Sequence, residues 1–183
     1  MSAEAVGASM PTHLSLDDVA AMAAADENHR YELSLEGGLL VMPPADPEHA
    51  LIVARLFAWF ITNGYGPDQV VTDCGIDVGG GRVPDLTVWA KGQPPRRARS
   101  SYAGVVGLRL AVEVVSAGSE AIDRVIKKIE YAKAGIPHYW IVERDTANTV
   151  TAYERAEPIG EYGDGASRPL AWLLSQAPPA LAR

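Results

Sequence analysis

Residues 108–144 read "LRLAVEVVSAGSEAIDRVIKKIEYAKAGIPHYWIVER". The opening run, Leu108 to Ser116, is rich in Val, Leu and Ala and carries one acid, Glu113. A mainly apolar run of this kind suits a central strand covered on both faces. The polar segment after it opens a helix over 118–135, with Ser119 as its expected cap and Gly135 as its stop. "HYWIVER" (138–144) is strand-like again. Strand, helix and strand of these lengths permit the crossover that joins two parallel strands. The expected fold class is α/β, with helices flanking a central mixed β-sheet.

Just upstream, "RVPDLTVW" (82–89) raises a chemical question. Asp85 follows Pro84 inside a strand expected over 83–90, yet Asp is depleted in strands and Pro cannot donate to a sheet ladder. Asp85 is either a turn residue at a strand start or a residue that holds something. "QVVTDCGIDV" (69–78) and the turn "GGGR" (79–82) supply the first arm of that hairpin. If strands 83–90 and 108–116 are neighbours, Asp85 and Glu113 reach one point. Two carboxylates at close range repel and raise each other's pKa. A divalent cation reverses that penalty, and Mg²⁺ characteristically takes one or two carboxylates plus waters and substrate phosphate. The backbone carbonyl of Val114 is a further candidate ligand.

On the following helix Asp123, Lys127 and Tyr131 are four apart and share a face. A Lys beside a metal-bound phosphate positions an attacking water and stabilises developing negative charge. Metal, carboxylates and Lys together suit phosphodiester hydrolysis. Plainer readings stand beside this one: Glu113 paired with Arg82 or Arg109, and Lys127 a solvated partner of Asp123. Ile122, Val125, Ile126 and Ile129 form an i, i+3, i+4, i+7 stripe expected to face the core. Lys127 lies off the centre of that stripe, and Lys128 on its other flank is the alternative.

Towards the N-terminus, "LSLDDVAAMAAAD" (14–26) is a helix with Ser15 and Asp18 in capping-box positions. "YELSLEGGLLVMPP" (31–44) is a hairpin turning near Gly37-Gly38. "PEHALIVARLFAWFITNGYG" (47–66) is a helix whose expected buried stripe is Leu51, Ile52, Leu56, Trp59 and Phe60. "TVTAYERA" (149–156) adds a strand. The expected organisation is a mobile tail over 1–11, a single domain over 12–160, and a Gly-, Pro- and Ala-rich extension over 161–183 whose order stays open.

A chain of 183 residues can bury one sizeable core. Its net charge of −7 argues against a broad polyanion-binding surface, though not against a local basic groove. "PPRRARSS" (94–101) is the candidate for such a groove. The single Cys74 excludes a disulfide framework or a Cys-based zinc site and fits a cytoplasmic protein. No apolar run approaches the roughly 20 residues of a membrane span, and the first residues lack the pattern of a signal peptide.

Taken in order, "YEL…EGG…LVMPP", "PEHALIV", "VPDLTVW", "AVEVVSAGSEAIDRVIKKIEYAKAGIPHYWIVE" and "TVTAYE" resemble the Uma-type family of restriction-endonuclease-like proteins. That family is assigned to the PD-(D/E)XK nuclease superfamily. The resemblance implies a Mg²⁺-dependent phosphodiesterase core acting on DNA, with Mn²⁺ as a substitute, and a homodimer suited to two strands. It matches Asp85 to the acid of the "PD" motif and Glu113 to the acid on the next core strand. The superfamily's usual Lys two residues further on is replaced by Val115, and Lys127 matches a Lys moved to the following helix. Glu32 in "YEL" matches an additional acid of the metal site, and His49 matches a helix-start His of unassigned role. Two rival readings remain: a nuclease fold kept as a non-catalytic binding or assembly module, which the net charge favours, and a hydrolase of small phosphate esters. A basic stripe from 96–99 into the cleft would favour DNA over both.

Overall fold

The structure is a computed structural model that describes residues 13–26, 28–99 and 102–181, with the side chains of 97–99 outside that set. The expected 1–11 tail and the Arg97 and Arg99 side chains of the basic run therefore lie outside the described residues. In chain order the elements are α1 (Leu16–Ala25), β1 (Arg30–Leu33), β2 (Leu39–Met42), α2 (Pro47–Thr62), β3 (Val70–Thr72), β4 (Ile76–Asp77), β5 (Gly81–Arg82) and β6 (Leu86–Trp89). Then come β7 (Arg97–Arg99), β8 (Tyr102–Gly104), β9 (Leu108–Val114), a π-helical segment (Ile122–Lys127) continuing into α3 (Lys128–Lys133), and β10 (His138–Val142). The chain closes with β11 (Thr149–Ala156), β12 (Glu161–Tyr162), β13 (Ala166–Pro169) and α4 (Leu170–Leu174).

The strand–helix–strand expected over 108–144 is present. β9 and β10 pair in parallel, from Leu110 opposite His138 to Val114 opposite Val142. The central sheet runs β12-β11-β10-β9-β6-β3, with β13 also on β11, and every other pairing in it is antiparallel. β9 is covered on both faces. Leu110, Val112 and Val114 pack with Ile52, Leu56, Trp59 and Phe60 of α2, while Ala111 and Val115 pack with Tyr131, Ile136, Tyr139 and Ile141 on the other side. By alternation Glu113 points to the α3 side.

The 69–90 hairpin forms, but it splits between two sheets. β3 pairs β6, whereas its outer part, β4 and β5, joins a second sheet of order β2-β1-β5-β4-β8-β7. Gly80 sits at the bend so close to β1 that a Cβ would lie 2.4 Å from the Leu33 carbonyl oxygen, so only glycine fits. The core strand begins at Leu86 and not at 83. Pro84 interrupts the ladder, and Asp85 occupies a bend between the two sheets.

α1 starts with the expected Ser15–Asp18 capping box. α2 is capped by Asp46 with Pro47 in its first turn, and ends at Asn63-Gly64. Its buried ridge differs from the expected stripe: Leu51 is 58% exposed, and His49 is buried in line with Ile52, Leu56, Trp59 and Phe60. Residues 161–181 are structured around β11. Leu170 and Leu181 enter the core, and the Trp59 indole N–H donates to the Gln176 carbonyl. Among the described residues no helix is long and apolar enough to cross a membrane.

The helix after β9 reverses the expected orientation. Val125, Ile126 and Ile129 of the apolar stripe are 55%, 40% and 49% exposed. Asp123, Lys127, Glu130 and Tyr131 are buried instead. The cause is electrostatic: the surface this helix packs on presents Glu32, Arg82 and Glu113, and only a polar face can satisfy them. Ser119 does not cap the helix. Its hydroxyl accepts from the Ser116 amide at 3.0 Å and donates to Asp123 Oδ2 at 2.6 Å. Gly135 ends the helix at φ +81°, as expected.

Candidate active site

The antiparallel register of β6 and β9 puts Leu86 opposite Val112, so Asp85 is level with Glu113 one step on. The Val114 amide donates to Asp85 Oδ2 at 2.8 Å across that step. The Asp85 carboxylate has two differently employed oxygens. Oδ2 also contacts His49 Nε2 at 3.1 Å, while Oδ1 accepts from Arg30 Nη1 at 2.8 Å. His49 reaches it because Asp46 caps the first turn of α2 and fixes His49 there. Burial pushes the Asp85 carboxyl up, but the His49 bond, the Arg30 charge and the Val114 amide outweigh burial and hold it at about 2.

Glu113 lies beneath Asp85 and is 3% exposed. Its Oε1 accepts from the Tyr131 hydroxyl at 2.6 Å and faces Lys127 Nζ at 3.0 Å. Burial pushes the Glu113 carboxyl well up; Lys127 opposes that, and Asp123 and Asp85 add to it. Lys127 Nζ also faces Asp123 Oδ1 at 3.2 Å and Glu32 Oε1 at 3.3 Å. Burial alone would lower the Lys127 pKa, but the charges of Glu113, Glu32 and Asp123 raise it, so the ammonium stays charged. The π-helical winding delivers this side chain, and such segments recur at functional sites.

Behind Lys127 lies a second layer. Glu32 accepts from the Val83 amide at 2.9 Å and from Arg82 Nη1 at 3.1 Å. Arg82 is fully buried and binds Glu130 through Nε at 2.6 Å and Nη2 at 2.9 Å. Arg82 therefore does not pair with Glu113, and neither does Arg109. Lys128 points elsewhere, its ammonium 4.0 Å from the centroid of the Tyr153 ring. Arg30, Asp85, Glu113, Asp123 and Lys127 line one cleft of about 520 Å³, with Arg144 at its rim bound to Asp46 and Glu48.

The structure thus brings Asp85, Glu113, Val114, Lys127, Glu32 and His49 together and leaves Lys128 out. Sequence reasoning missed Arg30, Asp123 as a buried member, and the Arg82–Glu130 pair. The 123, 127, 130, 131 spacing on one helix face was the available signal for two of them. Among the described residues no three His, Cys, Asp or Glu side chains converge into a ready-made metal cage. The reason is that the carboxylate oxygens turn towards the protein's own cations and donors. The charge balance nevertheless fits a divalent ion. Five buried carboxylates (Glu32, Asp85, Glu113, Asp123, Glu130) meet three permanent cations (Arg30, Arg82, Lys127), and a metal would neutralise the excess.

A mixed sheet with the acid of a split hairpin level with the acid of the adjoining central strand is a restriction-endonuclease-like fold. A solved structure of a putative nuclease from Anabaena variabilis ATCC 29413 superposes with a TM-score of 0.61 at 14% identity, covering 79% of this chain and 78% of that one. Residues 16–178 match the Uma2 family, described as "Putative restriction endonuclease", and the chain belongs to that family. No curated protein matches it.

Proposed function

We propose that this protein is an endonuclease that hydrolyses DNA phosphodiester bonds with Mg²⁺, or Mn²⁺ in its place. The observation that carries the reading is the juxtaposition of Asp85, in the bend just before β6, and Glu113 on β9, with Lys127 on Glu113, in one cleft. Asp85, Glu113 and the Val114 carbonyl would hold the ion, with Glu32 behind them. When bound, the ion polarises the phosphate and lowers the pKa of a coordinated water. The protein's own part is positional. His49 and the Val114 amide fix Asp85, Tyr131 fixes Glu113, and Lys127 remains protonated to offset charge on the phosphate. A group kept charged by three acids is an electrostatic stabiliser and not a general base. A cytoplasmic homodimer would present two such clefts to the two strands of a duplex.

A non-catalytic module is the second reading, favoured by the rim, where Arg144 is engaged by Asp46 and Glu48 and is not free to meet a phosphate. Calorimetric titration of Mn²⁺, with and without a DNA duplex, into wild type, Asp85→Asn and Glu113→Gln separates the two. Metal binding lost in both variants, with Mn²⁺-dependent nicking of plasmid DNA by wild type, supports the nuclease. Binding that survives both substitutions overturns it.

A further inference from the structure

We propose that Arg30 is an exchangeable latch on the metal site: it occupies the metal-facing oxygen of Asp85 until a substrate phosphate draws it off. This rests on the metal-dependent reading above. The two oxygens of Asp85 carry different duties. Oδ2 is anchored to the fold by the Val114 amide and His49, whereas among the described residues Oδ1 is bound by Arg30 alone. Withdrawal of Arg30 leaves the carboxylate in place and opens one oxygen to the cleft.

Arg30 is built to leave. It stands on β1 at the cleft wall, its side chain is 23% exposed, and it has other partners within reach, Asp73 at 3.3 Å and the Val83 carbonyl at 2.7 Å. Its Nε is buried and makes no hydrogen bond, so in this position the guanidinium carries one unsatisfied donor. A phosphate in the cleft offers that fork a planar pair of acceptors, the geometry arginine binds best. The exchange is balanced in charge. Arg30 would pass from the carboxylate to the phosphodiester, leaving Oδ1 of Asp85 available to hold a divalent ion. Metal and phosphate then bind cooperatively because each removes an obstacle to the other. Lys127 differs from Arg30 in being buried and held by three acids, Glu113, Asp123 and Glu32, so it has no comparable freedom to leave.

The test is Mn²⁺ titration, followed by calorimetry and by the paramagnetic resonance signal of free Mn²⁺. It compares wild type, Arg30→Gln, Arg30→Lys and Asp85→Asn. Each protein is measured with metal alone, with inorganic phosphate, and with a DNA duplex. We expect Arg30→Gln to bind Mn²⁺ alone roughly tenfold more tightly than wild type, the scale of one lost charge-assisted competitor. The duplex should tighten wild-type binding by a similar factor and change Arg30→Gln little. Arg30→Lys, which cannot span Asp85 and the Val83 carbonyl together, should fall between them, and it serves if the Gln variant folds poorly. An effect of inorganic phosphate equal to that of the duplex assigns the trigger to phosphate alone; a duplex-only effect assigns it to the polymer. Either result supports the latch. If both Arg30 variants fold and bind Mn²⁺ no more tightly than wild type while Asp85→Asn abolishes binding, the latch is wrong and the metal site stands. If wild type binds no Mn²⁺ under any condition, the metal-dependent reading fails and the latch with it.

Discussion

Replacing Arg82 by Met isolates the buried layer that supports Lys127. Arg82 is fully buried and makes three charge-assisted hydrogen bonds, at 2.6 and 2.9 Å to Glu130 and at 3.1 Å to Glu32. Without it Glu32 keeps the Val83 amide and Lys127, but Glu130 keeps only the Leu35 amide at 3.2 Å. Glu130 becomes a buried charge with no counter-ion. Removing one partner of a buried pair costs about 3–5 kcal/mol, most of it the stranded charge. In a chain of this size that lowers Tm by roughly 6–20 °C. Arg82→Met with Glu130→Leu removes both charges together and should be more stable than Arg82→Met alone, so the double-mutant cycle shows strong coupling. Urea unfolding at pH 7 followed by tryptophan fluorescence measures all four proteins. A loss below about 1 kcal/mol in Arg82→Met, the scale of an exposed pair, or a double variant that merely adds the two single losses, would refute the assignment of a stranded buried charge.

Asp85, held at about 2 against an ordinary 3.8, is ionised more readily in the folded chain than in the unfolded one. Its contribution of about 2 kcal/mol is complete above roughly pH 4 and is lost as pH falls towards 2; Asp85→Asn should flatten the urea-midpoint profile in that window, and parallel profiles contradict it. Glu113 has the opposite sign. Burial raises its pKa, so as pH rises the unfolded chain ionises at this position before the folded one does, and stability declines above the ordinary 4.5 until the folded carboxyl has ionised as well. Glu113→Gln should therefore lose less stability than wild type between pH 4.5 and 8, and an equal decline overturns the direction. In a plasmid-nicking assay Lys127→Met should remove cleavage by at least tenfold while Lys128→Met, which loses only its stack on Tyr153, leaves it within about twofold. The reverse order would move the functional lysine.

Much of the frame was legible because its signals are local or one-dimensional. β9 and β10 announce themselves as apolar runs around a helix closed by Gly135, and Asp85 as an acid that a strand has no use for. The adjoining placement of β6 and β9, which the sequence offered only as a condition for the Asp85–Glu113 pair, is met by the structure. The helix face could not be read this way. Amphipathicity assumes that the surface beneath a helix is apolar, and here it is Glu32, Arg82 and Glu113. The positions of Glu32 and Arg82 depend on how β1 and β5 pair in the second sheet, a long-range fact with no local signature. Leu51 was misplaced for a related reason. The buried ridge of α2 passes through His49, a polar residue whose partner, Asp85, lies 36 positions away. Arg30 escaped notice because it stands at the edge of a hairpin and meets Asp85 only after the hairpin over 69–90 has split.

The net charge of −7 looks adverse for the proposed action on DNA, yet charge placement matters more than the total. Five of the acids are buried in the cluster under the cleft, where Arg30, Arg82 and Lys127 offset much of their charge and a divalent ion would offset the rest. The same burial makes the cluster expensive without its cations, which is why Arg82 and Lys127 are enclosed and why Arg30 sits on Asp85. On the proposed reading Asp85 is held in reserve by Arg30. The protein's stability then depends on the partners that substrate and metal would replace at the front of the cleft, while the Arg82–Glu130 pair at the back keeps the frame from yielding when they do.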